Sequence, residues 1–249
     1  MIKFFRHIRQ NLINQGKTSK YLKYAIGEIV LVVIGILIAL QINNWNEGQK
    51  LQKTQKLYLE KLAIDVDSMI VQYKFFSKRF PDYIRGTELA LNYVETCGER
   101  EDDRQAFEFT LNTHQALSNY PQNRNTFDEM LSSGSFSSLD DGALKASISN
   151  LYANLERSNS QINYFRDEVG RASAIITTYV QFSYDSLGTG RGNQKVSYNL
   201  GNLCDNILFK NALVEIVDSR RDWLDGSDQI LANLKNMRMH LDEYLDNHD

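Results

Sequence analysis

The chain has 249 residues, of which 42% are hydrophobic and 24% are charged, and its formal net charge is −3. This length and mix are ordinary for one or two domains with a real core. Only two prolines and fourteen glycines interrupt the backbone, which favours long helices. Beyond the first 24 residues, basic and acidic residues are mixed, which argues against nucleic acid binding.

The first residues are strongly basic. Residues 1–24 contain six Lys or Arg and no acid, whereas residues 46–249 contain 22 basic and 30 acidic residues, a net charge of −8. The two ends of the chain therefore face different surroundings. Apolar and basic side chains also follow helical spacing in the tail, as in an amphipathic helix on an anionic membrane surface, although a frayed tail is the alternative. These side chains are Ile2, Phe5, Ile8, Arg9 and Leu12.

The next segment, Ala25 to Trp45, is almost entirely apolar. Its 21 residues would span about 31 Å as a helix, close to the thickness of a bilayer core. A cleaved signal is disfavoured because no A-x-A pattern follows the apolar run. A core helix would need protein on every side. The sequence therefore predicts a basic tail at 1–23, a transmembrane helix at 24–46 and a helical domain at 47–249.

The orientation follows from the charges beside this helix. The basic tail favours a cytoplasmic N-terminus, and Trp45 suits the opposite membrane interface. Four lysines shortly after the helix, however, nearly balance the local charge: Lys50, Lys53, Lys56 and Lys61. We expect the N-terminus inside and the large domain outside.

One face of the apolar helix combines small and polar residues. It consists of Glu28, Val32, Gly35, Ala39 and Asn43. Such faces mediate helix association in lipid, so this face is a candidate contact with a second copy or with another membrane protein. Alternatively, Glu28 lies among the lipid headgroups and Asn43 lies in water.

The residues of this helix and its flanks, "SKYLKYAIGEIVLVVIGILIALQINNWNE", are preceded by "MIKFFRHIRQ" and followed downstream by "NRNTFDEMLSSGSF". Together they closely resemble a family of unknown function that contains small membrane proteins of Gram-negative bacteria. The resemblance implies an N-terminal single-pass anchor, and a periplasmic location for the large domain if the N-terminus is inside. It implies no activity, cofactor or catalytic residue.

Beyond the anchor, three stripes of mostly apolar residues alternate three and four apart. They run from Leu59 to Phe80, from Leu144 to Tyr179 and from Leu213 to Tyr244. This heptad pattern predicts an all-α fold with long helices packed as an antiparallel bundle. We expect Pro81 to end the first helix and no strands to form. The anchor could continue into this helix as a stalk, or a flexible linker could separate them at Asn43–Gln49.

No catalytic or metal-binding constellation stands out. The four histidines, His7, His114, His240 and His248, lack partners at metal-ligand spacing. The glycine-rich stretch at 188–193 lacks the lysine of a P-loop and follows a predicted helix. The sequence therefore predicts no catalytic residue, no cofactor, no metal and no enzymatic activity.

Two further features merit attention. Cys97 and Cys204 both lie beyond the anchor, near predicted helix ends, and could form a disulfide or remain unpaired. Arg220 occupies an inward position of the last stripe. If it is buried, it needs an acid or an anionic ligand, and otherwise its head would extend to the bundle edge.

The sequence therefore predicts a single-pass membrane protein with membrane lipid and a membrane protein or a second copy as partners. A scaffold or accessory subunit is the first interpretation. A ligand-sensing bundle is the alternative, although the sequence identifies no ligand and only about 24 residues remain inside to pass on a signal.

Overall fold

The computed structural model describes residues 18–184 and 194–247. This part of the chain contains six α-helices, a 3₁₀ turn and a two-stranded sheet. The elements are α1 Thr18–Glu95, the 3₁₀ turn Glu101–Asp103, α2 Arg104–Thr113, α3 Asn125–Ser132, α4 Gly142–Tyr179, β1 Gln181–Tyr184, β2 Gln194–Ser197, α5 Leu200–Cys204 and α6 Ile207–Asn247. The all-α prediction is confirmed. The predicted tail helix and the glycine-rich stretch at 188–193 fall outside the described residues.

The chain divides into two compact units, residues 1–56 and residues 57–249. We call the second unit the helical domain. In the first unit, α1 stays helical through Gly48, so the flexible linker considered at Asn43–Gln49 is wrong. One glycine in a helix costs only about 1 kcal/mol relative to alanine, which its helix-forming neighbours offset.

Two hydrophobic clusters give the directions of the long helices in the helical domain. One cluster joins the Leu59–Phe80 part of α1 to the beginning of α4 and to the second half of α6. The other joins Ala90–Val94 of α1 to the end of α4 and the beginning of α6. Helices α1 and α4 therefore run in the same direction, and α6 runs antiparallel to both.

The connection between α1 and α4 runs back along the bundle as an interrupted layer, the second of four in chain order. Phe107 and Leu111 of α2 belong to the cluster that contains Ala90–Val94, at the end of α1, whereas Phe127 of α3 and Phe136 belong to the cluster that contains Leu59–Phe80. Successive layers therefore alternate in direction, as in an up-down-up-down bundle. The second layer consists of short helices and extended chain because its sequence lacks a long periodic stripe.

Polar contacts fix the register of α1 against α6. Arg238 pairs with Asp67 at 3.1 Å, the Ser77 hydroxyl donates to Asp228 at 2.5 Å, and Arg221 pairs with Glu88 at 2.5 Å. Each pair is exposed and worth little energy on its own. Their order, rising in α1 and falling in α6, nevertheless requires antiparallel packing.

The prediction that Pro81 ends the first helix is wrong, because α1 continues to Glu95. A proline inside a helix removes one backbone hydrogen bond and costs about 3 kcal/mol. Packing beside it offsets this cost: the Phe80 ring stacks on Trp223 with centroids 3.9 Å apart, and Phe76 meets the same indole edge-on at 5.6 Å. Tertiary contacts therefore override the local preference.

The absence of strands was also predicted wrongly. β1 and β2 form an antiparallel pair, with Phe182 opposite Val196. Both of these side chains pack against the hydrophobic cluster at the end of α1. Each strand has only four residues, so the alternation of apolar and polar side chains is too short to predict a strand from the sequence.

Candidate functional site

The described part of the first unit is a single exposed apolar helix. Within Ala25–Glu95, the most apolar window of 18 residues has a mean hydropathy of 2.6 and is 0% buried. Leu31 and Trp45 are 64% and 68% exposed. A core helix would bury such side chains against its own chain. By length and composition, this helix is able to cross a membrane.

The predicted association face lies along this helix. Val32 is 57% exposed, and a Cβ atom added to Gly35 would meet no other atom within 4 Å. The Asn43 amide donates to Glu47 at 3.1 Å within the same helix. Contact of Glu28, Ala39 and the rest of this face with a second helix stays a prediction.

Arg220 lies in the interior of the helical domain. Its side chain is 0% exposed, so it does not extend to the bundle edge as one interpretation expected. Its Nη1 atom donates to the Tyr83 carbonyl at 3.2 Å and to the Thr87 hydroxyl at 2.5 Å, while Nη2 donates to the Thr113 carbonyl at 2.6 Å. One guanidinium thus connects α6 to α1 and α2.

The partners of Arg220 are neutral. Within the described residues no carboxylate pairs with it and its Nε atom has no hydrogen-bond partner. Burial lowers the pKa of Arg220 to about 10 because the charged form is removed from water. The expectation of an acidic partner is therefore replaced by backbone carbonyls, whose dipoles satisfy a buried cation without a full negative charge.

His114 lies beside this arginine, just beyond α2. Its ring is 6% exposed, and Nδ1 donates to the Leu111 carbonyl at 2.5 Å. Phe182 stacks on the ring at 5.4 Å, and Nε2 has no hydrogen-bond partner among the described residues. Burial lowers the pKa of His114; the hydrogen bond to Leu111 raises it, and the charge of Arg220 lowers it further.

The lowered pKa of His114 predicts a pH-dependent stability. Below the ordinary pKa of 6.5, the unfolded chain gains a proton that the folded chain does not yet bind, so the free energy of unfolding falls as the pH falls. We expect the urea midpoint to drop between about pH 7.5 and about pH 5.5, and the drop to be smaller in His114→Gln. The exposed His240→Gln variant should keep the full drop. An equal dependence of the urea midpoint on pH in the parent and both variants would contradict the assignment of this effect to His114.

The structure joins Cys97 and Cys204 by a disulfide, with a Cα–Cα distance of 5.3 Å. The bond connects the segment after α1 to the end of α5. Cys97 and Gly98 both adopt left-handed backbone conformations, with φ of 51° and 82°. A Cβ atom on Gly98 would lie 2.6 Å from Leu200, so this turn requires glycine.

The segment Asn123 to Phe136 is held by a polar node that the sequence analysis missed. Asp65 of α1 accepts from the Asn123 amide at 2.7 Å and from the Thr126 backbone N–H at 3.3 Å, at the start of α3. Tyr152 of α4 donates to the Asn123 carbonyl at 3.1 Å and stacks on Phe127 at 4.2 Å. The segment therefore binds α1 to α4, a structural role that spacing alone does not reveal.

The described residues contain no group of three or more His, Cys, Asp or Glu side chains arranged to hold a metal ion. The histidines within the described residues are also far apart in the fold: His114 follows α2, and His240 lies near the end of α6.

Comparison with protein families gives a match to a family of unknown function, DUF6090, over residues 28–167. The chain belongs to the DUF6090 family. The DUF6090 match extends from Glu28 in the apolar helix to Asp167 in α4, so it includes the segment Asn123 to Phe136 but neither Arg220 nor Cys204. No curated protein and no solved structure matches the chain.

Proposed function

We propose that this DUF6090 protein is a single-pass inner-membrane protein of a Gram-negative bacterium, with a cytoplasmic N-terminus and a periplasmic helical domain. In this proposal it acts as a scaffold or accessory subunit of a membrane complex and not as an enzyme. The observation that carries the proposal is the apolar segment of α1 that starts at Ala25, whose most apolar window is 0% buried. A helix of this kind needs lipid or another protein around it.

Two further observations support this orientation. The first 24 residues carry six basic residues and no acid, as expected of a cytoplasmic segment beside a membrane helix. The Cys97–Cys204 disulfide suits an oxidising compartment such as the periplasm. Both observations favour a cytoplasmic N-terminus and a periplasmic helical domain.

Protease treatment of spheroplasts tests the orientation. We expect added protease to degrade the helical domain in intact spheroplasts while a cytoplasmic marker protein survives. Protection of the domain until the membrane is lysed would reverse the proposed orientation. Extraction in mild detergent then tests the scaffold role, because a scaffold should copurify with foreign subunits in fixed ratio, whereas a ligand-sensing bundle should instead be stabilised by its ligand.

The predicted association face gives a mutational test of assembly. Ala39→Leu adds bulk where close helix packing requires a small side chain, so crosslinking in membranes through the lysines that follow the apolar segment of α1 should fall about tenfold. Ile34→Leu, on another face of the same helix, is the matched control and should crosslink like the parent. Unchanged crosslinking of Ala39→Leu would exclude this face as the contact.

A further inference from the structure

A surface cleft opens on the helical domain between α1 and α2. It has a volume of about 460 Å³, within the range of small-molecule sites. Six side chains line it: Phe75, Lys78, Arg79, Asp82, Tyr83 and Phe109. All six lie within the helical domain, and Arg220 is not among them.

Aromatic rings form the walls of this cleft. Phe75 is 56% exposed and Phe109 is 44% exposed, although both are large apolar side chains. Tyr83 stacks on Phe109 with centroids 5.6 Å apart and an interplanar angle of 29°. Exposed rings that stand together around a concavity offer flat apolar surfaces to a ligand.

The rim of the cleft is cationic. The Arg79 guanidinium lies 5.8 Å from the Phe75 ring centroid and 6.0 Å from that of Tyr83. Neither Lys78 nor Arg79 forms an ion pair within the described part of the chain. With Asp82, the lining carries two positive charges and one negative charge, so the cleft is net positive on a domain that is net negative.

We propose that this cleft binds a small organic anion with a flat apolar body, such as an aromatic carboxylate. The body packs against Phe75 and beside the stacked pair of Tyr83 and Phe109, and the charged group pairs with Arg79 and Lys78. A cationic ligand would meet two like charges at the rim, and an uncharged one would leave them unused. This site is independent of the proposed membrane topology.

The cleft also connects to the interior of the bundle. Tyr83 lies between the cleft and Arg220, whose Cζ atom is 5.6 Å from the Tyr83 ring centroid. The Tyr83 carbonyl accepts from the same guanidinium. A ligand that holds Tyr83 against Phe109 therefore stabilises the contact between α1 and α2, and binding should raise the melting temperature of the domain.

The test is calorimetric titration of the full-length protein in lipid nanodiscs with 2-naphthoate, with empty nanodiscs as the blank. The uncharged analogue 2-naphthalenemethanol carries the same ring without the charge. We expect saturable binding of naphthoate that is about five- to tenfold tighter than that of the alcohol.

Variants identify the site. Arg79→Gln should weaken naphthoate binding by about five- to tenfold, whereas Asp82→Asn should tighten it because a repelling charge is removed. Arg157→Gln, at an exposed cation of α4, should bind like the parent. Unchanged melting of each variant without ligand excludes misfolding. No saturable binding, equal affinity for the alcohol, or no effect of Arg79→Gln would overturn the proposal.

Discussion

Replacing Arg220 by methionine should lower the free energy of unfolding of the helical domain by about 3 kcal/mol. The guanidinium makes three hydrogen bonds, to Tyr83, Thr87 and Thr113, and these are charge-assisted. Two of the three acceptors still receive a hydrogen bond when the arginine is removed. The Thr87 hydroxyl donates to the Tyr83 carbonyl, and the Ala116 N–H donates to the Thr113 carbonyl. The loss is therefore limited to the bonds of the arginine and its packing, and relief from burying the charge offsets part of it.

Arg221→Met is the matched control, because the neighbouring side chain is exposed and its ion-pair partners among the described residues, Glu88 and Asp218, lie at the surface. Its cost should stay below about 1 kcal/mol. Urea unfolding followed by tryptophan fluorescence is a suitable measurement, since Trp223 is 0% exposed whereas Trp45 is 68% exposed. Arg220→Lys should also destabilise the domain, because one ammonium group cannot reach acceptors on both α1 and α2. Equal stability of the Arg220→Met and Arg221→Met variants would refute the role given to Arg220.

Loss of the disulfide should have an effect of similar or larger size. The two cysteines are 107 residues apart in the sequence. In the chain-entropy model, opening a loop of this length lowers the free energy of unfolding by about 4–5 kcal/mol. The Cys204→Ser variant should therefore unfold at much lower urea concentration than the parent.

A reducing agent provides the internal control for this prediction. It should shift the parent to nearly the midpoint of the variant and leave a Cys97→Ser/Cys204→Ser double variant unchanged. If the reductant leaves the urea midpoint of the parent protein unchanged, the two cysteines are not joined by a disulfide in solution.

The sequence predicted the long helices well because their heptad stripes run for several turns. The stripe from Leu144 to Tyr179 ends where α4 ends. The exception at Pro81 shows the limit of local rules, because the stabilising contacts come from Trp223, more than a hundred residues away. Such a contact leaves no trace in the local pattern.

The interior sites were predictable only in part. The inward phase of Arg220 follows from helical spacing, but its acceptors are mainly backbone carbonyls, which every residue possesses and no sequence pattern marks. The node of Asp65 and Asn123 joins residues 58 positions apart, so neither residue indicates the other. The cleft was missed for the same reason, since α1 and α2 each contribute only some of its rings.

The alternating directions of the layers also have a mechanical consequence. Because α6 runs antiparallel to α1, Leu59 and Leu241 lie in the same hydrophobic cluster, at one end of the domain, and the disulfide lies at the other. A pull between Leu57 and Asn247 would separate α1 from α6 one turn at a time, in the unzipping direction. The separation of the two helices would stop at the disulfide between Cys97 and Cys204, which are 107 positions apart, so the loop that the disulfide closes would add no length to the stretched chain.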